Sequence, residues 1–330
     1  MENLISVIIV NYKSWKPLGL CLEALLAIDL TDYQLEIVVV DNQSNDGELH
    51  DFQQQYPLVH FYLNAGNCGF AHGCNYGAQK ARGNHFLFLN PDTIPTERNI
   101  LSLIKTYIQY PALGILGMVQ HNERGKQQHF QKPLPSPIAV FGPIRALYSL
   151  LLFSKKRMLS EHLQLVPWIT GSCVLISKKW FEKVQGWDTD FWMYSEDIAL
   201  SKAIQNNGGQ VAILLEPSLL HSHGGASRIN PQTTALTKLE VMISRHVYIS
   251  KYQSVSTKYI SHFLTIINHI LIASLGVLLT FNKNKNKSKR ILLGSLRKYY
   301  SNVPQNGWKS TRVCKSVYIS PQPLIDKATE

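Results

Sequence analysis

Residues 85–93 read HFLFLNPDT. Five residues, His85 to Leu89, carry four apolar side chains and no turn former, as a strand buried on both faces requires. The strand then meets Asn90, Pro91 and a single carboxylate, Asp92. Asn-Pro-Asp is ordinary turn chemistry. An acid just past a strand tip is also where a metal ligand stands at the mouth of an α/β sheet. Both readings stay open at this point.

Outward from that stretch, β-branched runs alternate with helical patterns. SVIIV (6–10), EIVVV (36–40), VHFYL (59–63) and LGILGMV (113–119) read as strands. PLGLCLEALLAI (17–28), GFAHGCNYGAQKAR (69–82) and a stretch near 96–110 read as helices between them. The alternation predicts an α/β fold with a mostly parallel sheet covered by helices on both sides. Ligands of such sheets bind beyond the carboxyl ends of the strands. Asn11, Asp41, Asn64 and Asp92 all fall there. A proline-rich stretch, 131–145, reads as a crossing loop, and a second αβ block follows it. Beyond about 232 the pattern is wholly helical.

The bulk numbers agree with a globular chain of 330 residues, 45% apolar and 17% charged. Residues 1–235 hold 18 Lys/Arg against 19 Asp/Glu; residues 236–330 hold 15 against 3. The division predicts a first domain over 1–235 and a basic helical region, membrane-associating by its composition, over 236–330. A net +12 in the last third favours a polyanionic surface, and the adjoining apolar run selects an anionic membrane over a nucleic acid. That run, YISHFLTIINHILIASLGVLLTF (259–281), is uncharged and long enough to span a bilayer. Ser261, His262, Thr265, Asn268 and His269 nevertheless recur at helical spacing, which favours a helix lying in the interface, with packing in the fold or in an oligomer as the alternative. Lys283, Lys285, Lys287, Lys289 and Arg290 follow, suited to anionic headgroups. A second apolar run, 138–159, ends in Lys155-Lys156-Arg157. The five cysteines form no paired spacing and are expected to be reduced thiols in a cytosolic compartment. LISVIIV reads as a first strand, not a signal peptide.

Four motifs carry chemistry. VVVDNQSNDG (38–47) sets Asp41 at a strand tip, where it can accept a ring imide N–H or cap a loop. NAGNCGFAHGCNYG (64–77) runs glycines and asparagines into a helix start, suited to a diphosphate or to close helix–sheet packing. GWDTDFWMYSEDIALSKAI (186–204) crowds Trp187, Phe191, Trp192 and Tyr194 before Glu196 and Asp197. Adjacent on a helix, these acids point about 100° apart, so one can act as a general base while the other caps. LLHSHGGASR (219–228) places His221 and His223 after a strand, where either could ligate a metal or phosphate.

Together and in this order, SVIIVNYKS, VVVDNQSNDG, NCGFAHGCNYG, FLNPDT and ITGSCVLISKKWFEKVQGWDTDFWMYSED resemble glycosyltransferase family 2, within it the bacterial rhamnosyltransferase-like branch. The resemblance covers roughly 6–228. It implies a GT-A, nucleotide-sugar-binding fold and an inverting, metal-dependent transfer. The donor would be dTDP-L-rhamnose or a UDP-sugar, and the acceptor a lipid-linked glycan of O-antigen or other cell-surface polysaccharide. The setting would be peripheral, at the cytoplasmic face of a bacterial inner membrane. Asp41 matches the acid that contacts the base, Asn67 and Gly69 the loop near the diphosphate, and Asp92 the last acid of a DxD motif that binds Mg²⁺ or Mn²⁺. Asn11 and Asn90 join the donor-binding set. Asp197 matches the catalytic base, with Glu196 beside it and Trp187, Trp192 and Tyr194 on the acceptor side. His221 matches a histidine that completes the metal site, with His223 as a substitute. Where the family often continues EDxDLxxR, this chain has Ala199 and Ala203. That departure motivates a rival reading, a non-catalytic membrane-associated scaffold. A nucleotidyltransferase is the third, disfavoured because no triphosphate loop rich in glycine and arginine stands near the N-terminus.

Overall fold

The computed structural model describes residues 3–127, 157–222 and 230–314. The proline-rich stretch, most of the second apolar run and His223 lie outside them. Strand β1 (Leu4–Asn11) pairs in parallel with β2 (Gln34–Asp41) and with β4 (His85–Leu89), and β2 pairs in parallel with β3 (His60–Leu63). On the other side of β4 lies β9 (Cys173–Ser177), antiparallel to both β4 and β6 (Leu113–His121). β10 (Gln210–His221) continues parallel to β6, and antiparallel β8 (Leu163–Leu165) and β7 (Arg157–Ser160) finish the edge. The order is β3-β2-β1-β4-β9-β6-β10-β8-β7, with the two-residue β5 (Thr93–Ile94) set against β10. β1, β2, β4, β6 and β10 therefore all point the same way and end at one edge. The sheet is mixed: β3, β2, β1 and β4 on one side and β6 and β10 on the other run in one direction, as expected of a mostly parallel sheet, and β9 lies antiparallel between them.

Both faces are covered, which is why the strands read as unbroken apolar runs. Ile5, Val7 and Ile9 pack with α1 (Trp15–Leu26) and α4 (Glu97–Gln109) through Leu18, Leu22, Ile100 and Ile104. Ile8, Val10 and Val38 face α3 (Phe70–Lys80), and Phe88 meets Phe181 of α5 (Lys178–Lys183) and Trp187. Each such side chain contributes roughly 1.5–3 kcal/mol by leaving water. α3 comes close because Gly77 faces the sheet: a Cβ there would lie 2.6 Å from Ile8 Cγ2. Gly73 and Gly77 are thus packing glycines. α2 (Glu48–Gln55) flanks β3, and α6 (Glu196–Asn206) lies against β6 and β10.

Three long helices close the described chain: α7 (Pro231–Tyr252), α8 (Val255–Leu278) and α9 (Lys283–Asn306). Pro231 suits the first turn, where no amide partner is needed, and Asn230 caps it by accepting from the Thr233 N–H. The polar stripe of α8 faces inward: Ser261, His262, Thr265, Asn268 and His269 are buried. Its apolar residues face out, among them Tyr259, Ile260, Phe263, Leu271 and Leu275. α8 is long and apolar enough to cross a membrane by length and composition.

Candidate active site at the carboxyl edge of the sheet

The NPDT turn is built by its own backbone. Asn90 N–H donates to Ser172 O, and Thr93 N–H and Oγ donate back to Asn90 O. β5 then pairs Thr93 with His221 and Ile94 with Leu220, and the Ser222 N–H donates to Asp92 O. This tiny strand seats Asp92 beside the last residue of β10, with His221 Nε2 2.9 Å from Asp92 Oδ1. His221 Nδ1 lies 2.7 Å from Gln120 Oε1, an acceptor that also receives the Ser172 hydroxyl. Nδ1 therefore carries the proton it donates to Gln120. Nε2 and Asp92 Oδ1 thus face each other at the mouth of the sheet, and a carboxylate beside an imidazole nitrogen is a donor set that a divalent cation can use. The residues present fit such an ion. Among the described residues no group of three or more His, Cys, Asp or Glu is arranged to hold one. Phosphate oxygens and water would complete its shell, as for Mg²⁺ with one or two carboxylates.

Gln120, at the end of β6, links this corner to the start of α6. Its Nε2 donates to Thr170 Oγ1, Thr170 and Ser172 hydroxyls lie 2.9 Å apart, and the intervening Gly171 N–H donates to Asp197 Oδ2 at 3.3 Å. Asp197 Oδ1 accepts from the Ile198 N–H. Asp197 is partly exposed at a helix N-terminus whose dipole favours its charge. Two successive left-handed residues, Tyr194 (φ 70°) and Ser195 (φ 68°), bend the chain into that helix. Non-glycine residues rarely adopt this conformation, and it concentrates at functional sites.

Glu196 is corrected. It is 6% exposed, and Oε2 has no hydrogen-bond partner among the described residues. Burial first, and then the charge of Asp197, push its carboxyl well above the usual range. It sits in the electrostatic reach of buried Cys74 and turns into the interior, away from the partly exposed Asp197. Trp187 is corrected too: at 1% exposure it packs edge-on against Phe70 and Phe88 and forms part of the core. Ala199 is buried against Phe191, Ile243 and Val247, so an acid at this position would meet the packing of α7.

On the donor side, Asp41 Oδ1 accepts from Asn11 Nδ2 and from the Ser44 hydroxyl, and Oδ2 from the Ser44 N–H. Asp41 is therefore a loop cap with residual acceptor capacity. Asn11 is fully enclosed, its Oδ1 taken by the Ser14 N–H, so it positions Asp41 and does not face a ligand. Asn90 and Asn67 are partly exposed. Gly69 (φ +95°) caps α3 where a Cβ would lie 2.0 Å from Trp192 O. Trp192 Nε1 donates to Asn67 O, and the Phe70 N–H donates to Trp192 O. Asn64, placed past a strand tip by the sequence, supports this loop through buried partners, of which His72 carries no signal of its own. Asn64 donates to Asn42 Oδ1, lies 3.0 Å from His72 Nδ1, and Asn42 donates to Gly69 O. Tyr194 is 38% exposed at the rim.

The cysteine expectation is overturned. Cys68 and Cys314 form a disulfide across 246 residues of sequence, while Cys21, Cys74 and Cys173 are free and buried. A pairing this distant leaves no spacing signal.

The family model described as Glycosyl transferase family 2 matches residues 6–185, more than half of the chain. The chain belongs to that family. It is a glycosyltransferase of the GT-A fold. It is similar to the N-acetylglucosaminyl-diphospho-decaprenol L-rhamnosyltransferase of Mycobacterium tuberculosis, 23% identical over 70% of this chain and 80% of the relative. Rhamnosyltransferase WbbL of Escherichia coli is 27% identical over 52% of this chain and 67% of its own. Among solved structures, the mannosyltransferase PcManGT from Pyrobaculum calidifontis, in complex with GDP-Man and Mn²⁺, superposes with a TM-score of 0.52 at 15% identity. It covers 92% of this chain and 87% of that one. S. aureus TarS 1–349 gives 0.50 at 16% identity over 88% and 79%.

Proposed function

We propose that this glycosyltransferase moves a sugar, L-rhamnose from dTDP-L-rhamnose as the first choice over a UDP-sugar, to a hydroxyl of a lipid-linked glycan acceptor with inversion. The observation that carries the reading is the meeting at one sheet edge of the Asp92–His221 pair and Asp197, joined through Gln120, Ser172 and Gly171. The relatives named for rhamnosyl transfer support the sugar, and the decaprenol-linked substrate named for one of them supports the acceptor.

Asp197 would accept the proton of the attacking hydroxyl, while the neighbouring Glu196 stays neutral and leaves that charge unopposed. The Asn67–Gly69 backbone and the start of α3 would hold the diphosphate. Asp92 and His221 would hold Mg²⁺ or Mn²⁺, which supplies charge neutralisation on the leaving diphosphate when bound. The helical region would lay the outward apolar face of α8 and the basic start of α9 on an anionic membrane, at the cytoplasmic face and peripherally. The scaffold reading keeps only part of its motive, because Ala199 is a packing position against α7, whereas Ala203 is partly exposed on α6.

The test is transfer from dTDP-L-rhamnose to a lipid-diphosphate-linked N-acetylglucosamine with Mn²⁺. Asp197→Asn should bind donor within about twofold of wild type and lose 10²–10⁴ in rate, the range for removal of a general base. An active Asp197→Asn protein would refute the base assignment.

A further inference from the structure

The segment after α9 runs back over the candidate site and is held at four points. Gly307 (φ +67°) ends the helix, and Trp308 stacks on His262 and His246 with ring centroids 4.0 and 4.5 Å away. Ser310 is buried and hydrogen-bonds Glu240 of α7. The Arg312 guanidinium lies 3.4 Å from the centre of the Trp192 ring, a cation–π contact. Cys314 is joined to Cys68. The last two anchors converge on one loop, because Trp192 Nε1 donates to Asn67 O and Gly69 lies against Trp192 O. The tail thus fastens the segment that would hold the diphosphate and covers the aromatic expected to face the acceptor.

We propose that Cys68–Cys314 is a thiol–disulfide exchange site that takes a dithiol reductant, and that exchange there frees residues 307–314 from the donor loop and from Trp192. The two cysteines are unequally exposed. Cys314 is exposed, and Cys68 is buried at 5%. A thiolate of the reductant attacks Cys314 Sγ, forming a mixed disulfide and expelling Cys68 as thiolate. Cys68 immediately precedes the N-cap of α3, where the helix dipole stabilises that leaving group. The reductant's second thiolate then displaces Cys314. Two electrons pass to the protein, the reductant leaves as its own disulfide, and its two protons end on Cys68 and Cys314. The remaining thiols do not compete: burial pushes Cys21 and Cys173 up to about 12 and Cys74 well above its ordinary value. A bridge with one exposed cysteine, in a chain proposed to face the cytoplasm, belongs with the transient, redox-sensing class.

The exchange itself does not rest on the glycosyl-transfer reading; only its consequence for rate does. The test uses the full chain purified without reductant, treated or not with dithiothreitol under native conditions, then unfolded and alkylated. Three cysteines should be alkylated before treatment and five after. Hydrogen exchange of peptides covering 64–70 and 308–314 should rise at least tenfold on reduction, with β1, β4 and β6 unchanged. Cys314→Ser should show the fast exchange from the start and no response to dithiothreitol. Five alkylated cysteines in the untreated protein, unchanged exchange on reduction, or a Cys314→Ser protein that still responds would each overturn the proposal. Transfer by the wild type, and not by Cys314→Ser, should rise at least threefold on reduction. Complete absence of transfer in both contradicts the enzymatic reading and leaves the exchange to be judged by thiols and amides.

Discussion

Asp197 and Glu196 are neighbours in sequence with opposite environments. One accepts two backbone N–H groups at the site, and the other is buried with an oxygen that has no hydrogen-bond partner among the described residues. Because the folded state raises the Glu196 pKa, the unfolded state releases that proton more readily. The stability this group contributes is therefore full below about 4.5 and is lost as pH rises toward its folded value. Glu196→Gln should consequently gain stability relative to wild type, about 1 kcal/mol or more at pH 8 and little at pH 4, read by urea unfolding at both. Equal differences at the two pH values would refute a protonated Glu196. The sequence could place the acid pair at a helix start, since the 100° offset follows from geometry alone. It could not say which acid turned inward, because that depends on α3 and Cys74, more than a hundred residues away. Gln120 was legible in principle, as a polar residue ending an apolar strand.

At the scale of elements, α8 shows what a pattern can and cannot reveal. The spacing of Ser261, His262, Thr265, Asn268 and His269 defined a polar stripe, but its partners lie on α7, α9 and the tail. His246 Nδ1 sits 2.8 Å from His262 Nδ1, and Tyr300 OH lies 3.1 Å from His246 and 2.9 Å from His269. Burial pushes His246 well below 6.5, His262 to about 4 and His269 to about 3. Depressed folded values mean that the unfolded chain binds protons first. The stability from this cluster is complete above about pH 6.5 and is lost as pH falls toward 4 and 3. Amide exchange in α8 and α9 should therefore accelerate between pH 6.5 and 4 after correction for intrinsic rates, ahead of β1 and β4. Uniform acceleration across helices and sheet would contradict this. The strained entry to α6 yields a second expectation. Ser195→Gly removes a left-handed non-glycine residue and should stabilise the chain by roughly 1 kcal/mol in thermal unfolding.

For the whole molecule, charge and hydropathy point the same way. Helix α8 turns apolar side chains outward, with Phe263 63% exposed, and Phe281, 96% exposed, stands in the connection before the basic start of α9. Sedimentation with vesicles should show binding to phosphatidylglycerol-containing bilayers and weak binding to neutral ones. Phe263→Ser with Phe281→Ser should weaken it at least tenfold, consistent with roughly 1.5–3 kcal/mol per buried aromatic. The alternation of strands and helices and the carboxyl edge were readable because local periodicity encodes them; the strand order, with β9 inserted antiparallel between β4 and β6, was not, because pairing is set by contacts between distant segments. The disulfide and the Arg312–Trp192 contact were not, because both join the C-terminal tail to residues far away in sequence.

The most direct test of the proposed active site is the Mn²⁺ dependence of nucleotide release from dTDP-L-rhamnose, measured on wild type, Asp92→Ala and His221→Ala with lipid-linked acceptor present. Wild-type turnover should require the ion, and both variants should lose at least a hundredfold. Undiminished, metal-independent turnover by Asp92→Ala would contradict the assignment of this turn to the site.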